Sequence, residues 1–418
     1  MSIRSFRGFR DILPDDMPLW HTVEAMTRQL FELYGYAEIR TPVLERMELF
    51  ARSVGEDTDI VQKEMYIIEN AREGDMALRP EATAAVVRAY TEHKLYATHP
   101  VPEKLYYILP MFRHERPQAG RFRQFHQIGA EALGIDSPVI DAEMIAMVFN
   151  LLKTLEVTAV EVQLNSVGCP ACRPAYRDQL KAYLARSYER LCPDCQSRFD
   201  RNPMRILDCK NEGCQQIVAA APVMLDLYCE ACHAHFSELQ DYLAVLDVGF
   251  AINPRMVRGL DYYVRTAFEF VSTSLGAQNA ILGGGRYDGL SEAIGGPPVP
   301  GVGFAMGMER LISLLADGVQ PKAPQVFIAI LGEAARKPGI AIQKSLRLEG
   351  VRTEIEYQSK SLKSQMKKAG KLGVSYTVII GEDELTRGQV ILRDMRASSQ
   401  HEVEMSQLVP TLVHLVKG

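Results

Sequence analysis

The run FRHERPQAGRFRQFHQIGAE, Phe112 to Glu131, places charged and amide side chains at alternate positions of what otherwise reads as a β-hairpin. A strand of that pattern builds a polar cleft. The approach Leu105 to Phe112 is extended and apolar, and Pro117, Gln118, Ala119 and Gly120 carry turn chemistry before the chain returns through FRQFHQIG. With a side-chain period of two, Arg113 and Glu115 share one face of the first strand. Phe125, Gln127, Gly129 and Glu131 share one face of the second. Where those faces coincide, one surface offers a guanidinium for phosphate, a flat ring for a base, and a carboxylate with an amide for a small polar substrate. No hydrophobic core needs that set.

Three other constellations carry chemistry. Arg310 follows a Gly-rich entry, and Phe304, Met308, Leu311 and Leu315 read as the buried stripe of its helix, which leaves the arginine on another face, free to point at a ligand. All eight cysteines fall between Cys169 and Cys232 as the pairs Cys169/Cys172, Cys192/Cys195, Cys209/Cys214 and Cys229/Cys232. Four close pairs suit thiolate metal sites, and in a reducing compartment zinc is favoured over disulfide, with free buried thiols as the alternative. Eight thiolates suffice for two tetrahedral structural sites whose pairing the spacing leaves open, and His233 and His235 are spare candidates. Lys360, Lys363, Lys367 and Lys371 recur at helical spacing, an ammonium stripe whose plain reading is a solvated helix face.

The elements that must position these groups fall into two parts. Trp20 to Tyr34 reads as an amphipathic helix, with Val23, Met26, Leu30, Leu33 and Tyr34 at helical intervals and Gly35 as its stop. Pro42, in the extended piece that follows, suits a strand edge or a subunit contact. MYIIE, MALRP, the hairpin, AVEVQLNS, AFEFVS and NAILGGG alternate with turns. That order fits a mostly antiparallel sheet flanked by helices rather than regular βα alternation. A Cys-rich helical insertion at about 168–246 interrupts it, with Tyr176, Leu180, Tyr183 and Leu184 on one helix face. After the linker-like 320–324, strand and helix alternate, which predicts a small α/β domain with a largely parallel core over 323–418.

Net charge is −5, which argues against generic polyanion binding, yet the average hides an asymmetry. From Ala323 onward 14 Lys and Arg face 10 Asp and Glu, so the basic excess is local to this end. The start MSIRSFRGFRD has no apolar stretch behind its charges, and no segment reaches the length of a membrane span. A cytoplasmic location and no membrane association are therefore expected.

The hairpin resembles motif 2 of class II aminoacyl-tRNA synthetases, and five further strings keep the order of the bacterial histidyl-tRNA synthetase family. These are TPVLER (Thr41 to Arg46, like motif 1), LRPEATAAVVRAY (Leu78 to Tyr90), RGLDYYVRTAFEF (Arg258 to Phe270), GGGRYDGL (Gly283 to Leu290) and GVGFAMGMERL (Gly301 to Leu311, like motif 3). The resemblance implies an α+β fold: a class II catalytic domain over 1–322 and a C-terminal α/β anticodon-binding domain over 323–418. It implies ATP-dependent activation of L-histidine to histidyl-adenylate, with Mg2+, and transfer to the 3′ end of tRNA(His). It implies a homodimer through motif 1.

By the same resemblance Arg113 meets the α-phosphate, Glu115 accepts from the adenine amino group, Phe125 stacks on the base, and Arg121 and Arg310 hold the outer phosphates. Glu131 and Tyr263 partner the two imidazole nitrogens; Glu81, Thr83 and Gln127 hold the α-amino group. Arg258 stands at the reacting carboxylate and α-phosphate as a fixed cation. Tyr262 and Gly284 complete the histidine site, with Gly283, Gly285, Tyr287 and Asp288 as neighbours. Arg116, Gln118 and Arg123 lie by the loop that approaches the acceptor end of tRNA, and Lys363 and Lys367 face the anticodon side. One departure is Ala82, where family members often carry glycine. Two alternatives share parts of this pattern: a regulatory subunit of a histidine-biosynthetic phosphoribosyltransferase, which typically loses ATP-contacting residues and the anticodon domain, and a class II synthetase for another amino acid.

Overall fold

The computed structural model describes residues 3–55, 58–72, 74–117, 120–157, 159–275, 279–315 and 323–417. The chain divides into two compact units, 1–319 and 320–418. In the first unit an eight-stranded sheet comprises β1 (Ala37–Glu38), β2 (Glu103–Phe112), β3 (Gln124–Leu133), β4 (Glu161–Ser166), β5 (Ala251–Ile252), β6 (Val264–Val271), β7 (Ala280–Arg286) and β8 (Gly301–Gly307). Their order is β1-β2-β3-β8-β7-β6-β4-β5. The two outermost ladders, β1 with β2 and β4 with β5, are parallel, and those between are antiparallel.

Strand alternation sorts this sheet into two faces. Ile128, Ala130 and Ala132 of β3 and Val302, Phe304 and Met306 of β8 enter the main core, packed beneath helices Met17–Leu33 and Pro138–Thr154. Ser137 starts the second helix by accepting a hydrogen bond from the Val139 N–H, with Pro138 in its first turn. Within the core Arg286 and Asp141 form a fully buried ion pair at 2.8 Å. Thr266 donates to the same carboxylate at 2.6 Å, and Asp141 is pushed up to about 6 by burial, against the pull of Arg286. The odd-numbered residues of β3 and β8 look the other way, toward the polar cleft. The first helix buries Trp20, Val23, Thr27 and Phe31 rather than Leu33, which is exposed, because the apolar stripe turns with the 3.6-residue period away from Leu33.

MALRP and MYIIE do not join the large sheet. Leu44–Arg46, Ile67–Ile68 and Met76–Leu78 make a separate three-stranded antiparallel sheet, with Pro42 just outside its first strand. Motif 3 splits as well: Phe304 belongs to β8, and the helix runs only Met308–Leu314. Phe304 is buried by strand alternation, not by a helical stripe.

The second unit holds a five-stranded sheet of β9 (Val326–Ile330), β10 (Thr353–Ile355), β11 (Tyr376–Ile380), β12 (Gln389–Asp394) and β13 (Gln400–Glu404), in the order β10-β9-β11-β12-β13. Only β9, β10 and β11 are parallel; β12 and β13 add antiparallel ladders, so the sheet is mixed rather than largely parallel. The short turn between Asp394 and Gln400 has room only for a hairpin return. Helix Leu362–Leu372 buries Gln365 and Ala369. Lys360, Lys363, Lys367 and Lys371 are all exposed. No helix among the described residues is long and apolar enough to cross a membrane.

Candidate active site

A cavity of about 430 Å³ opens on the polar face of the eight-stranded sheet. Its wall includes Arg113, Glu115, Arg121, Phe125, Gln127 and Arg310, and also Glu81, Thr83, Arg258, Tyr262 and Tyr263. The hairpin, β6, β7, β8 and the chain entering helix Thr83–Glu92 thus converge on one space. Phe125 and Gln127 reach it as alternate residues of β3. Ala82 has φ −111° and ψ −18°, ordinary angles for an L-residue, so alanine costs no backbone strain there.

The nucleotide-sized end is basic. The Arg113 Nε donates to the Pro80 carbonyl at 2.9 Å, and its guanidinium carbon lies 5.4 Å from the Phe125 ring centroid. Such stacking keeps the guanidinium plane over a ring that can itself receive a base. Arg121 pairs with Glu115 at 3.1 Å. Arg310 is not loose, as its place off an apolar stripe had suggested: its Nη1 donates to the Ala280 carbonyl at 2.6 Å. Burial lowers its proton affinity, as do the charges of Arg121 and Arg113, which are partly countered by Glu115. Anions are the ligands that relieve such crowding of cations.

The other end is built from buried polar atoms. One Glu81 oxygen accepts from the Ala84 N–H at 3.0 Å, whereas Oε2 is buried without a protein partner, as is Gln127 Oε1. Arg258 forms an ion pair with Glu269 and lies 5.3 Å from the Tyr263 ring centroid, but its Nε donor is buried and unpartnered. These atoms have no protein partner, so a ligand in the cavity can supply one. Two acceptors and one cationic donor match the ammonium and carboxylate of an amino acid.

Glu131 lies one layer deeper. It is absent from the cavity wall and fully buried, accepting from the hydroxyls of Tyr287 at 2.6 Å, Thr83 at 2.7 Å and Tyr107 at 3.3 Å. Burial raises its carboxyl to about 8, although the bonds from Tyr287 and Thr83 oppose the shift. Gly303 makes this seat possible: a Cβ there would stand 1.6 Å from Glu131 Oε2. Gly283 likewise faces the cavity, where a Cβ would stand 2.2 Å from the Arg258 guanidinium. Gly284 lies on the opposite side of β7 against Phe268 and the Gly303 carbonyl, because neighbouring strand residues point to opposite faces, so it does not line the cavity. Tyr287 serves Glu131, and Asp288 pairs with Arg286.

The tRNA-facing candidates differ from one another. Arg116 is exposed. Arg123 is held within the hairpin by a 3.3 Å bond to the Glu115 carbonyl, while its N–H donates to Gly8. Gln118 lies outside the described residues.

The cysteines sort into two quartets, Cys169/Cys172/Cys229/Cys232 and Cys192/Cys195/Cys209/Cys214, each with its sulfurs within 4.8 Å of one another. Neither histidine belongs. His235 packs 3.6 Å from Asp141 in the main core, and burial with nearby Arg286 and Arg265 lowers it to about 4.

Several wall residues carry little local signal in the sequence. Glu269 and Glu309 lie inside quoted motifs, and strand alternation in AFEF could have flagged the first. Glu309 accepts the His126 N–H at 2.9 Å and fixes the hairpin strand to the motif 3 helix. Asp59, Glu64, Arg205 and Asp208 arrive from segments that only tertiary folding brings near.

An antiparallel sheet with this bipartite cavity, together with a separate α/β unit, describes a two-domain class II aminoacyl-tRNA synthetase. The family model "Histidyl-tRNA synthetase" matches residues 8–311, and "Anticodon binding domain" matches residues 325–415. A protein named Histidine--tRNA ligase from Syntrophotalea carbinolica is 49% identical, with all of both chains covered. Another of that name from Trichlorobacter lovleyi is 50% identical, covering 97% of this chain and 96% of its own length. The crystal structure of apo S. aureus histidyl-tRNA synthetase is 35% identical, with a TM-score of 0.83 over 99% of this chain and 100% of that one. The chain belongs to the histidyl-tRNA synthetase family.

Proposed function

We infer that this chain is a histidine–tRNA ligase that activates L-histidine with ATP and transfers it to tRNA(His). The observation that carries the reading is the pairing, in one cavity, of a guanidinium-lined end with the unpartnered atoms of Glu81, Gln127 and Arg258. Arg113 bridges the α-phosphate as charge builds, Phe125 carries the adenine, and Glu115 accepts from its amino group. Arg121 and Arg310 hold the outer phosphates. Glu81, Thr83 and Gln127 receive the α-ammonium, and Arg258 holds the histidine carboxylate against the phosphorus. The carboxylate oxygen attacks, and pyrophosphate leaves. The ribose hydroxyl of tRNA then attacks the carbonyl carbon and releases AMP.

Tyr263, Tyr262 and the sealed Glu131 supply the imidazole end. Contact between Glu131 and a ring nitrogen requires the Thr83 or Tyr287 hydroxyl to give way. Mg2+ enters with ATP, and the oxygen donors of Glu64 and Glu269 on the cavity wall suit a hard cation; burial raises Glu64, which a bound cation would offset. For tRNA, the exposed Lys363 and Lys367 suit the anticodon side, and Arg116 the acceptor end. Arg123 lies beside the same loop. A homodimer is favoured by exposed Val43, Leu44, Ile67 and Ile68 at the two outer strands of the small sheet, apolar surface that a second copy would cover. We place the enzyme in the cytoplasm and assign structural Zn2+ to the cysteines.

Arg113, Glu115, Arg258 and Arg310 are all present on the cavity wall, as is the second unit, which disfavours the regulatory-subunit alternative. Pyrophosphate exchange across a panel of amino acids tests the assignment. Exchange that depends on histidine is expected; exchange indifferent to histidine, or none, rejects it.

A further inference from the structure

The cysteine quartets sit at two mechanically distinct places. Cys169 and Cys172 follow β4, where the chain leaves the sheet, and Cys229 and Cys232 open helix Glu230–Val245, which returns to the main core through Phe236, Leu239 and Leu243. This quartet closes the neck of the insertion. The second quartet closes the tip: Cys192 caps helix Pro193–Arg201 and Cys195 lies in its first turn, Cys209 and Cys214 follow the turn Pro203–Ile206, and the rest of the helix with that turn forms a strap between them.

Sulfur geometry separates the possible fates of these thiols. At the neck, Cys169 and Cys172 are 3.5 Å apart, and Cys169–Cys229 and Cys172–Cys232 are both 3.8 Å apart; at the tip, Cys192–Cys209 is 3.8 Å. A disulfide requires about 2.05 Å. Zinc–sulfur bonds of about 2.3 Å in a tetrahedron give edges of about 3.8 Å. Backbone N–H groups also aim at sulfur: Cys229 at Cys172 (3.1 Å), Cys192 at Cys214 (3.2 Å) and Asn211 at Cys209 (3.4 Å). Such donors stabilise thiolate charge around a metal.

Among the described residues, polar contacts dock the strap on the catalytic unit. Arg198 pairs with Asp59 at 2.8 Å, Asn202 donates to Asp261 at 2.7 Å, and Arg205 donates to the backbone carbonyl of Arg258 at 3.2 Å. Arg205 and Asp208 thereby become part of the cavity wall. The core of the insertion includes the cysteines themselves, packed with Tyr176, Leu180, Leu184, Ile206 and Met224, so a bound ion ties directly into its packing.

We propose that the insertion binds two zinc ions, one in each quartet, and that the tip ion fixes the strap through which Arg205 positions Arg258. Each site forms by loss of four thiol protons to solvent and gain of four Zn–S bonds, with no change of oxidation state. The coupling to Arg258 rests on the ligase reading; the metal sites do not.

The test starts with the full chain purified under reducing conditions. Elemental analysis is expected to find two zinc ions per chain, and cobalt(II) exchange to give the visible spectrum of a tetrathiolate site. Cys195→Ser and Cys232→Ser are each expected to keep one ion. No zinc, or a single ion lost equally from both variants, overturns the sites. For the coupling, Arg205→Ala is expected to lower kcat for pyrophosphate exchange by about tenfold, with the KM for histidine within about twofold. Cys209→Ser should lower it similarly, and the double variant no further. Multiplicative losses, or an Arg205→Ala enzyme as fast as the parent, overturn the coupling. Two zinc ions in a protein without any pyrophosphate exchange sink the ligase reading and the coupling, and leave the metal sites standing.

Discussion

Replacing Glu131 by glutamine is expected to make the ligand-free protein more stable while making it a poorer enzyme. The carboxyl is fully buried and raised from 4.5 to about 8, so the folded protein keeps its proton over a range in which the unfolded chain releases it. The native state then binds more protons than the unfolded state, and stability falls as pH rises from about 4.5 to about 8, with a slope of about 1.4 kcal/mol per unit. Below that window the protonated acid costs nothing extra. At pH 7 the accumulated penalty is about 3 kcal/mol, and at pH 8 about 4 kcal/mol. Glutamine has the same shape and no charge, and the hydroxyls of Tyr287, Thr83 and Tyr107 can turn to meet its amide. Denaturant unfolding of both proteins from pH 4 to pH 10 should show curves that nearly coincide at pH 4, diverge in favour of Glu131→Gln, and run parallel above about pH 9. Histidine-dependent pyrophosphate exchange should fall by about tenfold or more, because the amide offers the ring only a neutral acceptor in place of a carboxylate. A stability difference that does not change with pH, or a variant less stable than the parent at pH 8, refutes the reasoning.

Three further outcomes are expected. Arg258→Ala should slow adenylate formation by about 10²–10³-fold in single-turnover measurements while weakening histidine binding far less, since its unpartnered Nε and paired guanidinium face charge that develops in transfer; equal losses in both would remove that role. Charge removal at Lys363 and Lys367 should lower kcat/KM for tRNA charging by about tenfold and flatten its salt dependence, with pyrophosphate exchange unchanged; impaired exchange would show that the stripe serves folding or catalysis. Gly303→Ala should cost on the order of 3 kcal/mol in thermal unfolding and abolish exchange, because its Cβ would occupy the place of a Glu131 oxygen; a variant with parental stability and activity would show that Glu131 can move freely.

Much of the active centre was legible along the chain because strand alternation is a local property. Phe125 and Gln127, two residues apart, necessarily reach the same face, and that is where they meet Arg113. The same rule placed Gly284 away from the cavity and Gly283 beside Arg258, a distinction that requires knowing which face of β7 looks outward. The apolar stripe of the first helix was recognisable too, although Leu33 proved exposed and Phe31 buried, since a stripe's edge depends on what packs against it.

Residue types and spacing by themselves determined the hairpin, the break before a basic α/β segment, and a cysteine-rich insertion able to hold metal. Those are consequences of backbone periodicity, turn chemistry and ligand count, each written within a few neighbouring residues. Tertiary folding alone decided which cysteines share a site and that Glu131 lies beneath the cavity wall. It also decided that Arg205, Asp208, Asp59 and Glu64 join that wall. The physical reason is that these relations join segments far apart in the chain, and their distances are set by how sheet, helices and insertion close-pack, which no local pattern encodes.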